Sequence, residues 1–352
     1  MTLILGIETS CDETAAAVVE ETGDAAKPWV VRSSVVASQA EIHREWGGVV
    51  PELASRQHLR DICGVVERAM AESQTGPRDL GAIAVTQGPG LVGSLLVGLS
   101  FAKSLAAVWD LPLVPVHHLA GHIESLFLEH GPLPLPAVIL VASGGHTSLY
   151  EVRQPGRYVP LGRTRDDAAG EAYDKVARLL GLGYPGGPVI DRLARGGDDG
   201  VVAFPIARMT HPDRNAPLLK GQWDFSFSGL KTSVLRYVKA RGPGWTPSAA
   251  ETADICAGFQ RSVVEALLDK TFAAARWCGA QSVGIAGGVS ANSRLRADAM
   301  AAGERNGVQV FVPSLALSTD NAAMIAAAGL RRFHAGVRAG DDLNADPALR
   351  LV

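Results

Sequence analysis

Two histidines four residues apart are the residues of this sequence with the clearest chemical potential. His118 and His122 enclose the tripeptide Leu-Ala-Gly. On an α-helix this spacing puts both imidazoles on one face, with about 5–6 Å between their Cβ atoms. Such a pair suits two ligands of one metal ion. Because residue 119 is Leu, the segment lacks the glutamate that acts as general base in HExxH zinc proteases. A metal pair of this kind needs further partners elsewhere in the chain.

A third ligand for such an ion is available much later in the chain. Asp320 lies in the tetrapeptide Ser-Thr-Asp-Asn, directly before an apolar run over residues 322–330. It could serve only as an N-cap or first-turn acid of the helix that follows. A carboxylate added to two histidines would instead make a three-ligand site with open positions, which is what a catalytic metal needs.

Two polar turns after predicted strands could bind or position substrate groups. In residues 142–147, two adjacent glycines let backbone N–H groups approach an anion, and a serine and a threonine add hydroxyl donors. The turn over residues 9–14 is its counterpart but carries Asp12 and Glu13. Acids repel phosphate unless they face a cation or position a nucleophile. A hairpin turn without ligand and two solvated carboxylates are the respective alternatives.

Further candidates for binding a nucleoside or phosphate lie in the second half of the chain. Gly287-Gly288 follows a predicted strand and leads to Ser290, a predicted N-cap, and to Asn292, whose amide suits a purine or ribose edge. Asp174, deep in a predicted helix, and Asp191, after a rigid Tyr-Pro-Gly-Gly-Pro turn, could accept hydrogen bonds from ribose. A simple strand-to-helix turn and surface acids are the alternatives.

A second glycine motif and a basic segment are less specific. Residues 88–93 fit GxGxxG, but a dinucleotide site needs an acid at the end of the next strand, and that strand ends in Val-His-His. We therefore expect a tight turn before a helix. Four basic residues crowd one short segment, where a solvated helix face and a tRNA contact explain them equally well: Lys231, Arg236, Lys239 and Arg241.

Composition places the chain among ordinary globular proteins. It has 352 residues, 47% of them hydrophobic and 20% charged, which is enough to fill two cores. The net charge of −3 excludes a polycation, so a nucleic-acid partner would need a local basic patch. The four cysteines are scattered and form no CxxC pair, so we expect reduced thiols in a cytoplasmic protein. The apolar stretch 91–109 contains Lys103 and several small residues, which favours a buried helix over a membrane span.

A strand, a polar turn, a threonine and a second strand occur twice. The first copy covers residues 3–19 and the second covers residues 137–152, after a Gly-Pro-rich boundary at 131–136. Strands alternate with helices between and after the copies, which predicts α/β layers and a duplicated domain. The segment from Ala335 to Val352 is polar, and we expect it to fray.

Taken together, ten segments resemble one family, the tRNA adenosine threonylcarbamoyltransferases called TsaD in bacteria, formerly described as O-sialoglycoprotein endopeptidases. The matching segments run in family order and cover residues 6–14, 47–52, 87–91, 118–122, 143–147, 170–175, 184–188, 225–231, 287–292 and 318–321. This breadth makes the resemblance far more specific than any single motif. The chain beyond about residue 335 lies outside it.

The resemblance implies a fold, a domain layout and a set of site residues. The fold is the α/β actin-like ATPase (ASKHA) fold, with two duplicated ribonuclease-H-like lobes around a nucleotide cleft. The N-terminal lobe would cover residues 1–133 and be completed by a helix at 319–334, the C-terminal lobe would cover 134–318 with inserted helices, and 335–352 would be a tail. The implied metal ligands are His118, His122 and Asp320, with Asp12 supporting catalysis. The implied substrate contacts are Val141, Ala142, Ser143, Gly144, Gly145, Asp174, Gly187, Asp191 and Asn292.

The activity implied by the resemblance is a metal-assisted acyl transfer. The threonylcarbamoyl group would pass from threonylcarbamoyl-AMP to N6 of the adenosine 3′ to the anticodon, in tRNAs that read ANN codons, with release of AMP. The cofactor would be one Fe²⁺ or Zn²⁺ per subunit. The expected partners are tRNA, a paralogous actin-fold subunit (TsaB-like) and a small ATPase subunit (TsaE-like), with no membrane. A metalloprotease and a non-catalytic nucleotide-binding subunit are the rival interpretations.

Overall fold

The computed structural model describes residues 1–206, 222–340 and 342–351. Within these ranges the chain divides into two compact units. The first unit combines residues 1–133 with 313–352, and the second covers residues 134–312. Each unit is built around one five-stranded sheet.

The sheet of the first unit has the strand order β3-β2-β1-β4-β5. β1 pairs antiparallel with β2 and parallel with β4. Because helices cover both faces of the central strands, β1 and β4 read as nearly continuous apolar runs. The strands are β1 (Leu3–Glu8), β2 (Glu13–Glu21), β3 (Trp29–Ser38), β4 (Leu80–Gly88) and β5 (Leu113–His117).

The described part of the first unit contains six α-helices. α4 and α11 pack against each other, and α11 also packs on β1. Gly6 permits this close approach, because a Cβ there would lie 2.8 Å from the backbone nitrogen of Ala326. The helices are α1 (Ala40–Arg44), α2 (Pro51–Ser73), α3 (Val92–Trp109), α4 (His118–His130), α10 (Leu315–Ser318) and α11 (Ala322–His334).

The sheet of the second unit has the order β10-β9-β6-β7-β8, with β6 antiparallel to β7 and parallel to β9. The long helix α8 begins at a capping box, in which Ser248 and Glu251 exchange hydrogen bonds. The strands are β6 (Ala137–Ala142), β7 (Thr147–Gln154), β8 (Arg157–Arg163), β9 (Ser282–Ala286) and β10 (Gln309–Phe311). The helices are α5 (Ala169–Leu179), α6 (Gly186–Ala194), α7 (Ser228–Ala240), α8 (Ala249–Cys278) and α9 (Ser293–Asn306).

The two sheets repeat one connectivity. In each, the first strand is central, the second and third continue on one side as an antiparallel meander, and the fourth and fifth add on the other side in parallel. The turn at residues 9–12 and the turn at residues 143–146 therefore occupy the same topological place. This repetition agrees with the duplicated α/β fold predicted from the paired hairpins.

The segment after α11 does not fray as expected from its polarity. The backbone N–H of Asp346 donates to the carbonyl of Gln87, and the carbonyl of Leu349 lies 3.1 Å from Nε2 of His117. Leu343 and Ala345 pack against the core of the first unit. The polar residues lie outward and the few apolar ones fix the segment to the end of β4 and β5.

One helix in the described part of the chain, α3, is long and apolar enough to cross a membrane by length and composition. Here it covers the sheet of the first unit, and Leu99, Ala102 and Ala106 belong to that core. The four cysteines are free thiols, of which Cys256 is buried and Cys63 is exposed.

Candidate metal centre and anion-binding turns

The three predicted metal ligands lie together in the first unit. His118 is the first residue of α4, His122 follows one turn later, and Asp320 directly precedes the residue that caps α11. One ligand atom from each residue lies within 4.8 Å of the other two. We refer to these three residues as the histidine–aspartate cluster.

His122 has the environment of a metal ligand rather than of a core histidine. It is fully buried, and neither of its ring nitrogens has a hydrogen-bond partner among the described residues. Its Nε2 atom lies 3.1 Å from Oδ1 of Asp320. A buried polar nitrogen without a partner is costly. A divalent ion held by two imidazoles and one carboxylate would remove this cost, so the donor set fits a metal such as Zn²⁺ or Fe²⁺.

His118 is fixed by a second carboxylate. Its Nδ1 atom lies 3.0 Å from Oε2 of Glu8 and 3.1 Å from Oγ of Ser10. Its Nε2 atom lies 3.6 Å from Oδ1 of Asp320. Burial by itself lowers the pKa of His118. The charges of Asp320 and Glu8 and the hydrogen bond to Glu8 outweigh burial and raise that pKa to about 9.

Asp320 is not the helix cap that its position allowed. The cap of α11 is Asn321, whose Oδ1 atom accepts a hydrogen bond of 2.9 Å from the N–H of Met324. Asp320 is left half-buried beside the two histidines. Asn321 thus caps the helix, and the carboxylate of Asp320 lies beside His118 and His122.

The turn between β1 and β2 holds two carboxyl groups close together. Asp12 is buried, so the alternative of a solvated turn carboxylate does not hold for it. Burial, the charges of Asp12 and Asp320, and a hydrogen bond to Asp12 raise the pKa of Glu13 well above its ordinary value. Ionisation of Glu13 is therefore disfavoured next to Asp12.

The predicted anion-binding turn in the second unit is partly used by the fold itself. The Ser143 hydroxyl accepts from the N–H of His146, and the Thr147 hydroxyl accepts from the N–H of Ala169 at the start of α5. These two hydroxyls are therefore structural. In the part of the chain that the structure describes, the N–H groups of Gly144 and Gly145 donate to no other group, and both glycines are exposed. These N–H groups fit an anion.

A second glycine turn lies against the first. Gly287 has a positive φ of 88°, and a Cβ there would overlap the carbonyl oxygen of Ala142. Val141 and Ala142 are fully buried at the end of β6, so the predicted substrate contacts at these two positions would involve backbone. Ser290 was expected to cap α9, but that expectation is wrong: its hydroxyl is buried and has no hydrogen-bond partner among the described residues.

Asn292 takes the role of the cap. Its Oδ1 atom accepts from the N–H of Leu295, and its amide nitrogen donates to Gln260 at 2.7 Å. Asp191 lies beside it and accepts from the N–H and hydroxyl of Ser293. The structure thus brings Asp191 and Asn292 together at the start of α9.

Asp174 lies in α5 and contacts the start of α6, where Gly187 is the second residue. The carboxylate of Asp174 accepts a hydrogen bond of 2.7 Å from the N–H of Gly186. A Cβ at Gly187 would meet no atom within 4 Å, so a ligand group could approach the backbone there. Asp174, like Asn292, therefore has a structural role in addition to any contact with substrate.

The structure also shows where the GxGxxG motif and the basic segment lie. Three residues, 89–91, connect the end of β4 at Gly88 to the start of α3 at Val92, so the GxGxxG motif forms the expected tight turn before a helix. The basic residues lie on and just after α7, where the guanidinium of Arg241 stacks on Tyr237 and Trp245 at 4.9 and 5.7 Å from the ring centres.

Sequence reasoning missed Glu8 and Thr86, and treated Glu13 as a turn acid. Glu8 and Thr86 hydrogen-bond each other across neighbouring strands. An acid that ends the fully buried strand β1 was the available signal, since charged residues are rarely buried without a partner.

The strand connectivity and the site define the class of this protein. Full-length HypF in its phosphate- and nucleotide-bound form matches 95% of this chain and 46% of its own, with a TM-score of 0.58 and 14% identity. Component A of the Acidaminococcus fermentans (R)-2-hydroxyglutaryl-CoA dehydratase matches 94% of this chain and 96% of its own, with a TM-score of 0.51 and 14% identity. Identities this low show the fold alone. The chain has the actin-like ATPase (ASKHA) fold.

The family follows from the sequence comparisons. A family model described as "TsaD: tRNA N6-adenosine threonylcarbamoyltransferase" matches residues 30–327. A protein of that name from Anaeromyxobacter dehalogenans (strain 2CP-C) is 54% identical over 353 residues and covers 100% of both chains. One from Symbiobacterium thermophilum is 51% identical, covering 99% of this chain and 97% of its own. The chain belongs to the TsaD family and is a transferase that modifies tRNA at N6 of adenosine.

Proposed function

We propose that the protein transfers the threonylcarbamoyl group from threonylcarbamoyl-AMP to N6 of the adenosine 3′ to the anticodon in tRNAs that read ANN codons. The observation that carries this proposal is the histidine–aspartate cluster in a chain of the TsaD family. Two buried histidines and one carboxylate are a donor set suited to a reaction in which a carbonyl must be made more electrophilic.

The chemistry of the two substrates explains why activation is needed. The N6 amine is a weak nucleophile because its lone pair is delocalised into the purine. It attacks the carbamoyl carbon of the mixed anhydride, and a C–N bond forms. The bond from that carbon to the phosphate oxygen breaks, AMP leaves, and the amine loses one proton. The protein must therefore hold the acyl group, accept a proton and bind the leaving AMP.

His118, His122 and Asp320 would hold one Fe²⁺ or Zn²⁺ ion. When bound, the ion supplies a Lewis acid for the threonylcarbamoyl carbonyl oxygen. The burial of both imidazoles keeps water away from the ligand atoms and strengthens electrostatic interactions there.

Asp12 would orient the amine or take its proton. It is buried beside Glu13, whose pKa is raised by burial, by the charges of Asp12 and Asp320 and by a hydrogen bond to Asp12. Of these two neighbouring carboxyl groups, ionisation is therefore disfavoured at Glu13. This arrangement supports Asp12 as the general base and Glu13 as its hydrogen-bond donor.

The second unit would bind the adenylate. The free N–H groups of Gly144 and Gly145 would face the phosphate, so that AMP leaves from a fixed position. Asp174, Asp191 and Asn292 would contact the ribose or purine through their polar side chains. Gly187 would let a substrate group approach the backbone of α6.

The proposal extends to partners and to the compartment. We propose that the protein acts in the cytoplasm on tRNA, together with a paralogous actin-fold subunit and a small ATPase subunit.

Reconstitution of the transfer reaction tests the proposed function directly. The full chain, these partners, unmodified tRNA, threonine, bicarbonate, ATP and an adenylate-forming enzyme are mixed, and the nucleosides are analysed by mass. The modified nucleoside is expected only when this chain is present, and its absence from the complete mixture would refute the proposal.

Replacing both histidines tests the cluster. His118→Ala with His122→Ala should abolish metal binding and transfer together, whereas His130→Ala, at the exposed C-terminal end of the same helix, should leave both intact. Full transfer by the double variant would refute the metal-assisted mechanism. A casein-type cleavage assay distinguishes the transferase from the metalloprotease alternative. Leu119 disfavours the protease, because no glutamate follows His118.

A further inference from the structure

Glu8, at the end of β1, has no role in the proposed reaction, yet its carboxylate is fully buried and surrounded by donors. The backbone N–H of Ser10 donates to Oε1. The hydroxyl of Thr86 donates to Oε2 over 2.7 Å, and Nδ1 of His118 lies 3.0 Å from the same oxygen. A buried acid held by three groups needs an explanation beyond packing.

These contacts determine which nitrogen of His118 carries a hydrogen. A carboxylate can only accept hydrogen bonds, so Nδ1 must donate to Oε2 of Glu8. The hydroxyl of Ser10, 3.1 Å from the same nitrogen, can then accept but not donate there. When the imidazole is neutral, its lone pair must lie on Nε2.

The lone pair on Nε2 points to the other two ligands. Nε2 of His118 lies 3.6 Å from Oδ1 of Asp320, and Nε2 of His122 lies 3.1 Å from that oxygen. The two rings are nearly perpendicular, with an angle of 83° between their planes. In contrast, Nδ1 of His122 has no hydrogen-bond partner among the described residues. Among the described residues, a carboxylate thus contacts Nδ1 of His118 but not Nδ1 of His122.

We propose that Glu8 is a positioning residue, which holds His118 with a proton on Nδ1 and Nε2 free to bind the metal, while Thr86 and the backbone of Ser10 hold Glu8. This inference rests on the proposed metal centre. A carboxylate behind a ligating histidine fixes the ring and makes the free nitrogen more basic. Glu8 binds neither metal nor substrate in this role.

The variant Glu8→Gln tests the inference with almost no change in shape. Its amide offers an N–H group toward Nδ1 of His118, which favours the opposite tautomer with the proton on Nε2. We expect the affinity for Zn²⁺ to fall about 10- to 100-fold, measured by competition with a chromophoric chelator. We also expect the absorption spectrum of the Co²⁺-loaded variant to shift, since the orientation of one ligand changes.

Glu124→Gln is the matched control. Glu124 is also fully buried and lies on α4, but it pairs with Arg331 instead of a histidine of the cluster. Its variant should lose stability and keep the wild-type Zn²⁺ affinity and Co²⁺ spectrum. Equal loss of metal affinity in both variants, or none in Glu8→Gln, would overturn the role of Glu8.

A measurement on the wild type decides the matter even if Glu8→Gln does not fold. In the Zn²⁺-loaded protein, long-range ¹H–¹⁵N correlation spectra should show zinc on Nε2 of His118 and a hydrogen on Nδ1. Zinc on Nδ1 would overturn the inference while leaving the metal centre intact. A wild type that binds neither Zn²⁺ nor Co²⁺ would overturn both the metal centre and the role of Glu8.

Discussion

The guanidinium group of Arg331 donates two hydrogen bonds, of 2.8 and 2.7 Å, to the two oxygens of the fully buried Glu124 carboxylate. The rings of Trp29 and Phe127 lie 4.8 and 5.2 Å from the guanidinium carbon. This bidentate pair joins α11 to α4, the helix that carries both histidines of the cluster.

Arg331→Met should therefore destabilise the protein strongly. It removes the bidentate partner of the fully buried Glu124 carboxylate. Breaking a buried ion pair by removing one partner costs about 3–5 kcal/mol. Chemical denaturation measures the loss in the free energy of unfolding. Replacing both partners, with Glu124→Leu and Arg331→Leu, should recover part of this loss because no charge remains buried. A double variant less stable than Arg331→Met would contradict this account.

Asp320 and Asn321 should separate metal binding from helix stability. Asp320→Asn removes a charged ligand. Because loss of an outer-shell partner alone lowers metal affinity about 10- to 100-fold, we expect the Zn²⁺ affinity of this variant to fall by more than about 100-fold. Asn321→Ala removes the cap of α11 and should cost about 1 kcal/mol of stability. Its Zn²⁺ affinity should stay at the wild-type value. Chelator competition and denaturant melts on both variants give the comparison, and the same profile for both would be evidence against a ligand role of Asp320.

Two helical glycines should respond in opposite directions to alanine. A Cβ at Gly98 in α3 would overlap the Thr9 hydroxyl, which donates to the carbonyl of Ser94. Gly98→Ala should therefore cost about 1–3 kcal/mol through overpacking. Gly64 in α2 is exposed and has open space around it, so Gly64→Ala should add about 0.5–1 kcal/mol. Thermal melts of both variants would show whether close packing, and not helix propensity, sets the requirement at residue 98.

Asp166 should stabilise the start of α7 in a pH-dependent way. Its carboxylate accepts hydrogen bonds from the N–H groups of Phe227 and Ser228 and from the hydroxyls of Ser226 and Ser228. Partial burial raises the pKa of Asp166, but these hydrogen bonds outweigh it, and the net pKa is lowered. We expect Asp166→Ala to cost about 1 kcal/mol at neutral pH, as loss of a cap does.

The sign of the pH dependence follows from the lowered pKa. Stabilisation by Asp166 is present above the ordinary carboxyl pKa and is lost as the pH falls through the lowered value in the folded protein. The stability difference between wild type and Asp166→Ala should stay constant down to about pH 4 and shrink below it. A difference that grows on acidification would contradict the assigned hydrogen bonds.

Much of the fold could be predicted from local patterns. The hairpins at β1–β2 and β6–β7 and the helices α3 and α11 lie within a few residues of their expected positions. Strand β3 and helix α2 were not predicted, although α2 begins with Pro51 at its first position and buries a helical stripe from Ala54 to Ala69. The C-terminal segment was expected to fray because its polar composition hides the few apolar residues that attach it.

The candidate site shows where sequence reasoning ends. The spacing of His118 and His122 is local, so their common helix face could be predicted. The contact of Glu8 with His118 depends on how β1, β4 and α4 are arranged, which no spacing in the sequence reveals. The same holds for Ser290 and Asn292, where a short turn of 3₁₀ helix moves the start of α9 by two residues and changes which side chain caps it.

The repeated strand order places two turns of different chemistry at the same position in the two sheets. The turn after β1 leads to Asp12 and Glu13, whereas the turn after β6 contains Gly144 and Gly145, whose backbone N–H groups donate to no other described group. The two units therefore differ in chemistry at this position through the residues of the turn, while their strand connectivity is the same.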